Sequence, residues 1–131
     1  MIVRARVVIR GSKDYFEELV LVDTGASITL LDINAAEHLG VKYLGRKMRL
    51  IVADGHEMIG ELAIVDSLSV EGEELPGAHV LVIDFPARLS ESLKSLGVSE
   101  RVVLGLSTLE ILGLVPNTST GRVEKMGLYA I

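Results

Sequence analysis

The stretch Leu19-Val20-Leu21-Val22-Asp23-Thr24-Gly25-Ala26-Ser27 constrains the chain more than any other. Four consecutive apolar residues read as a buried strand, and they run without a spacer into a carboxylate. Asp23 is thus placed at a strand exit, on a tight turn. Gly25 has no side chain, so backbone can come close to the carboxylate. The Thr24 hydroxyl can brace the turn, Ala26 leaves room beside it, and Ser27 can hydrogen-bond the outer carboxylate oxygen.

The remaining elements are short and mostly extended. Ile2 to Arg10 and Glu18 to Val22 flank the turn Gly11-Ser12-Lys13-Asp14, which predicts a hairpin. Ile28 to Leu31 is β-like. Asp32 is placed to cap a helix over Ile33 to Leu39, closed by Gly40. Lys47 to Ala53 and Glu57 to Val65 flank Asp54-Gly55, a hairpin signal. Sheet is expected to continue from Leu62 to Val70, with a turn at Glu71-Gly72-Glu73-Glu74 and a strand from Ala78 to Ile83. Leu89, Leu93 and Leu96 predict a helix over Ala87 to Leu96, ending at Gly97. Val102-Val103-Leu104 reads as a buried strand, and Ser107-Thr108-Leu109-Glu110 as a capping box opening a helix that stops near Gly113. Asn117 to Gly121 is a turn, Arg122 to Met126 a strand, and Gly127 to Ile131 an apolar tail. Many short strands with two or three short helices predict a mainly β, small closed β-barrel-like domain spanning residues 1–131.

Composition narrows the function. With 131 residues and 49% apolar content, the chain can bury one core. The net charge of −5 argues against nucleic acid as a partner. The cluster Arg46, Lys47, Arg49 reads as a solvated strand edge. There is no cysteine, which excludes disulfides, thiolate catalysis and Cys-ligated zinc. His38, His56 and His79 are scattered, so neither a metal nor another cofactor is expected. No apolar run is long enough to span a membrane, and Met1 to Arg6 alternates like a strand rather than a signal peptide. A cytoplasmic protein is expected.

The landmarks, taken in order, resemble the retropepsin-like (clan AA) aspartic proteases of the prokaryotic and cellular type. Asp23-Thr24-Gly25-Ala26-Ser27 resembles their catalytic loop, and Val52-Ala53-Asp54-Gly55-His56 the turn of their flap. Val103-Leu104-Gly105 is similar to the strand that passes behind the loop, and Ser107 to Leu112 to the helix after it. The resemblance implies an acid-protease fold and peptide hydrolysis, with Asp23 catalytic and Thr24, Gly25, Ala26 and Ser27 supporting it. Ile51, Val52, Ala53, Asp54, Gly55, His56, Met58 and Ile59 would form the flap and bind substrate, with Ala26 and Val82 or Ile83 adding apolar walls. Asp54 by itself is a turn former, and Asp66 and Asp84 lack the Thr/Ser-Gly that would mark a second catalytic carboxylate. Two departures stand out. Ala87 to Arg101 resembles an insertion relative to minimal viral members. Ser107 and Thr108 stand where the viral enzymes carry an Arg-based brace.

Hydrolysis without metal or covalent intermediate requires an activated water and an acid for the leaving amine. Two carboxylates sharing one proton can supply both. The chain has one Asp-Thr-Gly, so the resemblance implies a homodimer in which each copy gives one aspartate across a two-fold axis. The tail Leu128-Tyr129-Ala130-Ile131 is a candidate for that interface. Two other readings stay open: a catalytically silent peptide-binding module on the same fold, and an unrelated β-barrel carrying the motif by chance.

Overall fold

The computed structural model describes every residue except Ala53, Asp54, Tyr129 and Ile131. The expectations placed on Ala53 and Asp54 in the flap turn, and on Tyr129 and Ile131 in the tail, fall outside the described residues.

Alternation sets up the first hairpin. In β1 (Val3–Arg10) the odd residues Val3, Ala5, Val7 and Ile9 are buried while Arg4, Arg6 and Arg10 stay exposed. It pairs antiparallel with β2 (Tyr15–Val22) along its whole length, from Val3 opposite Val22 to Arg10 opposite Tyr15. Then come β3 (Leu30–Asp32) and α1 (Ile33–Leu39). The caps of α1 are those the sequence predicts. Asp32 accepts from the Asn34 N–H, and Gly40, at φ 76°, takes the left-handed conformation that closes the helix. The other Asp32 oxygen accepts from Phe85 N at 2.9 Å, which ties the helix start to the end of a later strand.

The hairpin β4 (Lys42–Ile51) and β5 (Glu57–Ile64) follows, then β6 (Ser67–Val70), β7 (Glu73–Pro76) and β8 (His79–Ile83). The turn expected over Glu71 to Glu74 is shorter than that. Glu71 and Gly72, both at positive φ, make it, and Glu73 already pairs with Val70. Sheet expected to run unbroken from Leu62 to Val70 is split at Val65 and Asp66. The chain continues through α2 (Ala87–Ser95), β9 (Val102–Leu104), α3 (Leu106–Leu112), β10 (Leu114–Asn117) and β11 (Arg122–Lys125). β10 was not anticipated. It pairs with β11 in a separate two-stranded sheet, held to β1 by Arg4 N donating to Gly121 O.

Nine strands form one sheet in the order β4-β5-β8-β3-β9-β2-β1-β6-β7. The architecture is mainly β with three helices, as expected, but the sheet is not a closed barrel. Its edge strands β4 and β7 do not pair with each other among the described residues. Two cores result. The larger gathers Val7, Ile9, Val20, Leu31, Leu39, Leu68, Val80, Leu104 and Leu109. The smaller joins Leu30, Leu81, Ile83, Phe85, Leu93, Val98 and Val103, so the apolar stripe of α2 covers sheet that would otherwise be open.

Candidate active site

At the centre of the sheet, β2 and β9 run parallel, with Leu21 beside Val103 and Val22 beside Leu104. β9 runs antiparallel to β3 on its other side. The ends of β2 and β9 and the start of β3 therefore meet at one edge, and Asp23 leaves β2 there. Its N–H donates to Leu104 O at 2.9 Å, and Ala26 N donates back to Asp23 O at 3.1 Å. The carboxylate itself accepts from Gly25 N at 2.9 Å. A Cβ on Gly25 would lie 3.0 Å from that carboxylate oxygen, so the residue without a side chain permits the bond. The bracing expected from the Thr24 and Ser27 hydroxyls thus comes from the Gly25 backbone. Asp23, Thr24, Gly25 and Ser27 are exposed, and Ala26 is buried.

The Val103-Leu104-Gly105 run passes behind this loop. A Cβ on Gly105 would fall 2.3 to 2.6 Å from the backbone of Ile28 and Thr29, a contact only glycine allows. Gly105 N donates to the Thr29 hydroxyl at 3.0 Å, and that hydroxyl pairs with the Thr108 hydroxyl at 2.7 Å. Thr29 and Thr108 are 0% and 2% exposed, two of the few polar residues in the interior. The sequence marked Thr108 only as part of the expected capping box and, with Ser107, as standing in the place of the viral brace, and it did not single out Thr29. An isolated Thr in an apolar run gives no sign of a partner 79 residues away.

The capping box expected at Ser107 is absent. α3 begins at Leu106, with Gly105 in extended conformation at its N-cap and no side-chain cap bond. The physical reason lies in the loop. Leu106 N donates to Ala26 O at 2.8 Å and Ser107 N to Ser27 O at 3.0 Å. The free N–H groups of the first helical turn are satisfied by loop carbonyls instead of a cap.

The other described aspartates lie elsewhere. Asp14 sits in the β1–β2 turn, at the far end of the strand that leads to Asp23. Asp66 N bonds Arg10 O at that same far end. Asp32 meets Arg101, ahead of β9, and Asp84 follows Ile83 beside it. None of the four shares the edge that carries Asp23.

The β4–β5 hairpin supplies the flap candidates. Leu50 pairs with Met58 and Ile51 with Glu57, so the strands connect between Ile51 and Glu57, with Gly55 at φ 90°. A two-residue Asp54-Gly55 turn would have paired Ile51 with Met58. The difference is one residue, and it assigns faces. Leu50 and Met58 pack against the smaller core, with Ile28 and Leu21 nearby in the same cluster. Ile51 and Ile59 lie on the opposite face, 60% and 64% exposed. Val52 N bonds His56 O at 2.9 Å, which extends the pairing toward the turn. Val82 and Ile83, expected as walls, are 4% and 3% exposed and belong to the two cores. Leu50, left out of the sequence reading, faces inward beside Met58. Strand parity would have found it once the loop length was known.

The model of the aspartyl protease family matches residues 6–108. The chain belongs to that family. EIAV protease, in its complex with the inhibitor HBY-793, shares the fold. Its TM-score is 0.56 at 24% identity, over 86% of this chain and 89% of that one. A retropepsin-like aspartic protease from Rickettsia conorii matches with TM-score 0.47 and 21% identity, over 84% of this chain and 77% of that one. No curated protein matches the chain. Among the described residues, no helix is long and apolar enough to cross a membrane.

Proposed function

We propose that the chain is a homodimeric aspartic endopeptidase in which Asp23 from each of two copies forms the catalytic pair. Residues 1–131 then act as one domain, half of a shared active site, in a cytoplasmic protein. The observation that carries the reading is the isolation of Asp23. Its loop is built and anchored within one chain, yet its side chain is exposed and the four other described aspartates sit away from it. A second carboxylate is therefore supplied by a second copy, across an isologous interface.

In such a pair the two carboxylates share one proton, because like charges at hydrogen-bond distance do not both ionise. The ionised one takes a proton from water, which attacks the peptide carbonyl. The protonated one hydrogen-bonds and then protonates the carbonyl oxygen. Collapse of the tetrahedral species returns a proton to the leaving amine. The Gly25 N–H bond orients the carboxylate, and the Leu104 carbonyl fixes its backbone. The hairpin closes over substrate with Leu50 and Met58 on its inner face and excludes water.

Asp23→Asn keeps the shape of the side chain and removes the shared proton. The expected result is loss of peptide cleavage by a factor of about 10³ or more, with peptide binding kept. Cleavage at the wild-type rate by the purified variant refutes the mechanism. Specific activity is expected to fall on dilution below the dimer dissociation constant. A monomer by sedimentation that stays fully active at every concentration overturns the dimer.

A further inference from the structure

A second feature lies beside the candidate site. A cavity of about 500 Å³ opens between α3, the start of β8 and the base of the β4–β5 hairpin. Ile28, Leu62 and Ile111 form apolar parts of its wall, and Ser107 brings it against the helix turn that holds the Asp23 loop. Arg46 and His79 also line it, and among the described residues no acidic one does. In a chain of net charge −5 that is an uneven distribution.

The backbone delivers Arg46 there by an irregularity. Tyr43 pairs with Ala63 and Lys47 with Glu61, so three residues of β4 stand opposite the single residue Leu62. Gly45, at φ 73°, takes a conformation that few other residues adopt. Such a bulge re-aims a side chain. Here it sets Arg46 beside Leu62 at the cavity. Lys47 and Arg49 behave as the solvated edge expected from the sequence, opposite Glu61 and paired with Glu57 at 3.4 Å, respectively. Arg46 has no acidic partner among the described residues.

We propose that this cavity recognises an acidic side chain of the peptide substrate, with Arg46 as its anion-binding group and the apolar wall holding the methylene stem. This rests on the peptidase reading above. An extended peptide crossing the Asp23 loop passes Ile28, and a glutamate a few residues from the cleaved bond reaches Arg46. A guanidinium suits this task because its planar fork matches a carboxylate.

The test uses capped octapeptide pools that carry Glu, Gln or Lys at one fixed position, each position in turn. With wild type, Glu at one position is expected to raise kcat/KM roughly fivefold to tenfold over Lys, the scale of one charge-assisted hydrogen bond partly screened by water. The gain is expected mainly in KM. Arg46→Glu inverts the preference, and Lys47→Glu, the same charge change on the next residue, leaves it in place. Cleavage with no positional preference overturns the cavity proposal and leaves the peptidase reading intact. So does a preference that Lys47→Glu abolishes as fully as Arg46→Glu, since that is a general charge effect. If wild type cleaves nothing, fluorescence anisotropy of the labelled pools on the Asp23→Asn variant decides separately. Arg46-dependent selection of the Glu pool then supports the cavity and overturns the peptidase reading, and equal binding of all pools overturns the cavity.

Discussion

The Asp23 loop and the β4–β5 hairpin are both short, glycine-containing connections, yet they are anchored in opposite ways. The loop exposes its carboxylate but gives its backbone to distant partners. Leu104, Leu106 and Ser107 each bond it, and just after it Gly105 donates to the Thr29 hydroxyl and packs on Ile28 and Thr29 with no space for a methyl group. Toward its tip the hairpin is held mainly by itself, while its base joins the sheet through β5 and β8. β4 is exposed along nearly its whole length, lies at the sheet edge and, among the described residues, pairs only with β5. Beyond its base, where Glu61 to Ile64 of β5 pair with β8, its hold on the body is the inner row Leu50 and Met58, together with Gly60, where a Cβ would meet Leu81 and Ile83 side chains. A charge that must be placed accurately is over-determined. A cover that must admit substrate rests on a few apolar contacts, which can part at modest cost.

The comparison breaks first at Gly105. Gly105→Ala forces a methyl group into backbone, so unfolding in urea is expected to show a loss of about 3 kcal/mol or more. A loss under about 1 kcal/mol means the loop yields easily and the contrast is false. The next effect is at the buried hydroxyl pair. Thr29→Val removes the acceptor of Gly105 N and the partner of Thr108, at an expected cost of about 1–3 kcal/mol in thermal unfolding. Thr29→Ser keeps the hydroxyl and recovers most of that cost. Equal losses in the two variants point to packing of the methyl group rather than to the hydrogen bonds.

The hairpin sharpens the contrast by its faces. Leu50→Ala is expected to cost about 1–2 kcal/mol and to raise KM for peptide, because it removes part of the inner row. Ile51→Ala, one residue away on the outer face, is expected to stay within about 0.5 kcal/mol in the same assay. Reversed effects mean that the pairing of Leu50 with Met58 is wrong.

The smallest effect is at the end of the molecule away from the loop. The Tyr15 backbone N–H holds the Asp14 carboxyl below the usual range, with the His38 side chain lowering it further. A lowered folded value means the group stabilises the fold above the ordinary carboxylate pKa. That contribution is lost as pH falls through the lowered value. Asp14→Asn is therefore expected to lower Tm slightly at neutral pH and to match wild type in strong acid. Peptide cleavage is expected to be unchanged.

What the sequence made legible was local. The β1–β2 hairpin, both caps of α1, the apolar stripe of α2 and the stop of α3 at Gly113 follow from neighbours within a few residues. The candidate loop was legible as a motif. Its support was not, because Thr29 and Thr108 are ordinary residues until β9 and α3 are in place. The capping box failed for the same reason, since Ala26 and Ser27 supply the carbonyls that a cap would replace. Edge strands were hard to see as well. β7 begins with two glutamates and β10 contains Pro116, compositions that read as loop. The faces of the hairpin turned on one residue of loop length.

The bonds that shape the loop join residues 76 and 79 positions apart. On a ribosome adding about 5–20 residues per second, Asp23 is added roughly 4–16 s before Gly105 and Thr108 exist. During that interval the Asp-Thr-Gly segment has no strand behind it and no helix start to receive its carbonyls. Any hydrolytic capacity of this chain is thus tied to synthesis through Thr108, and a truncated product ending before Gly105 carries the motif without the site.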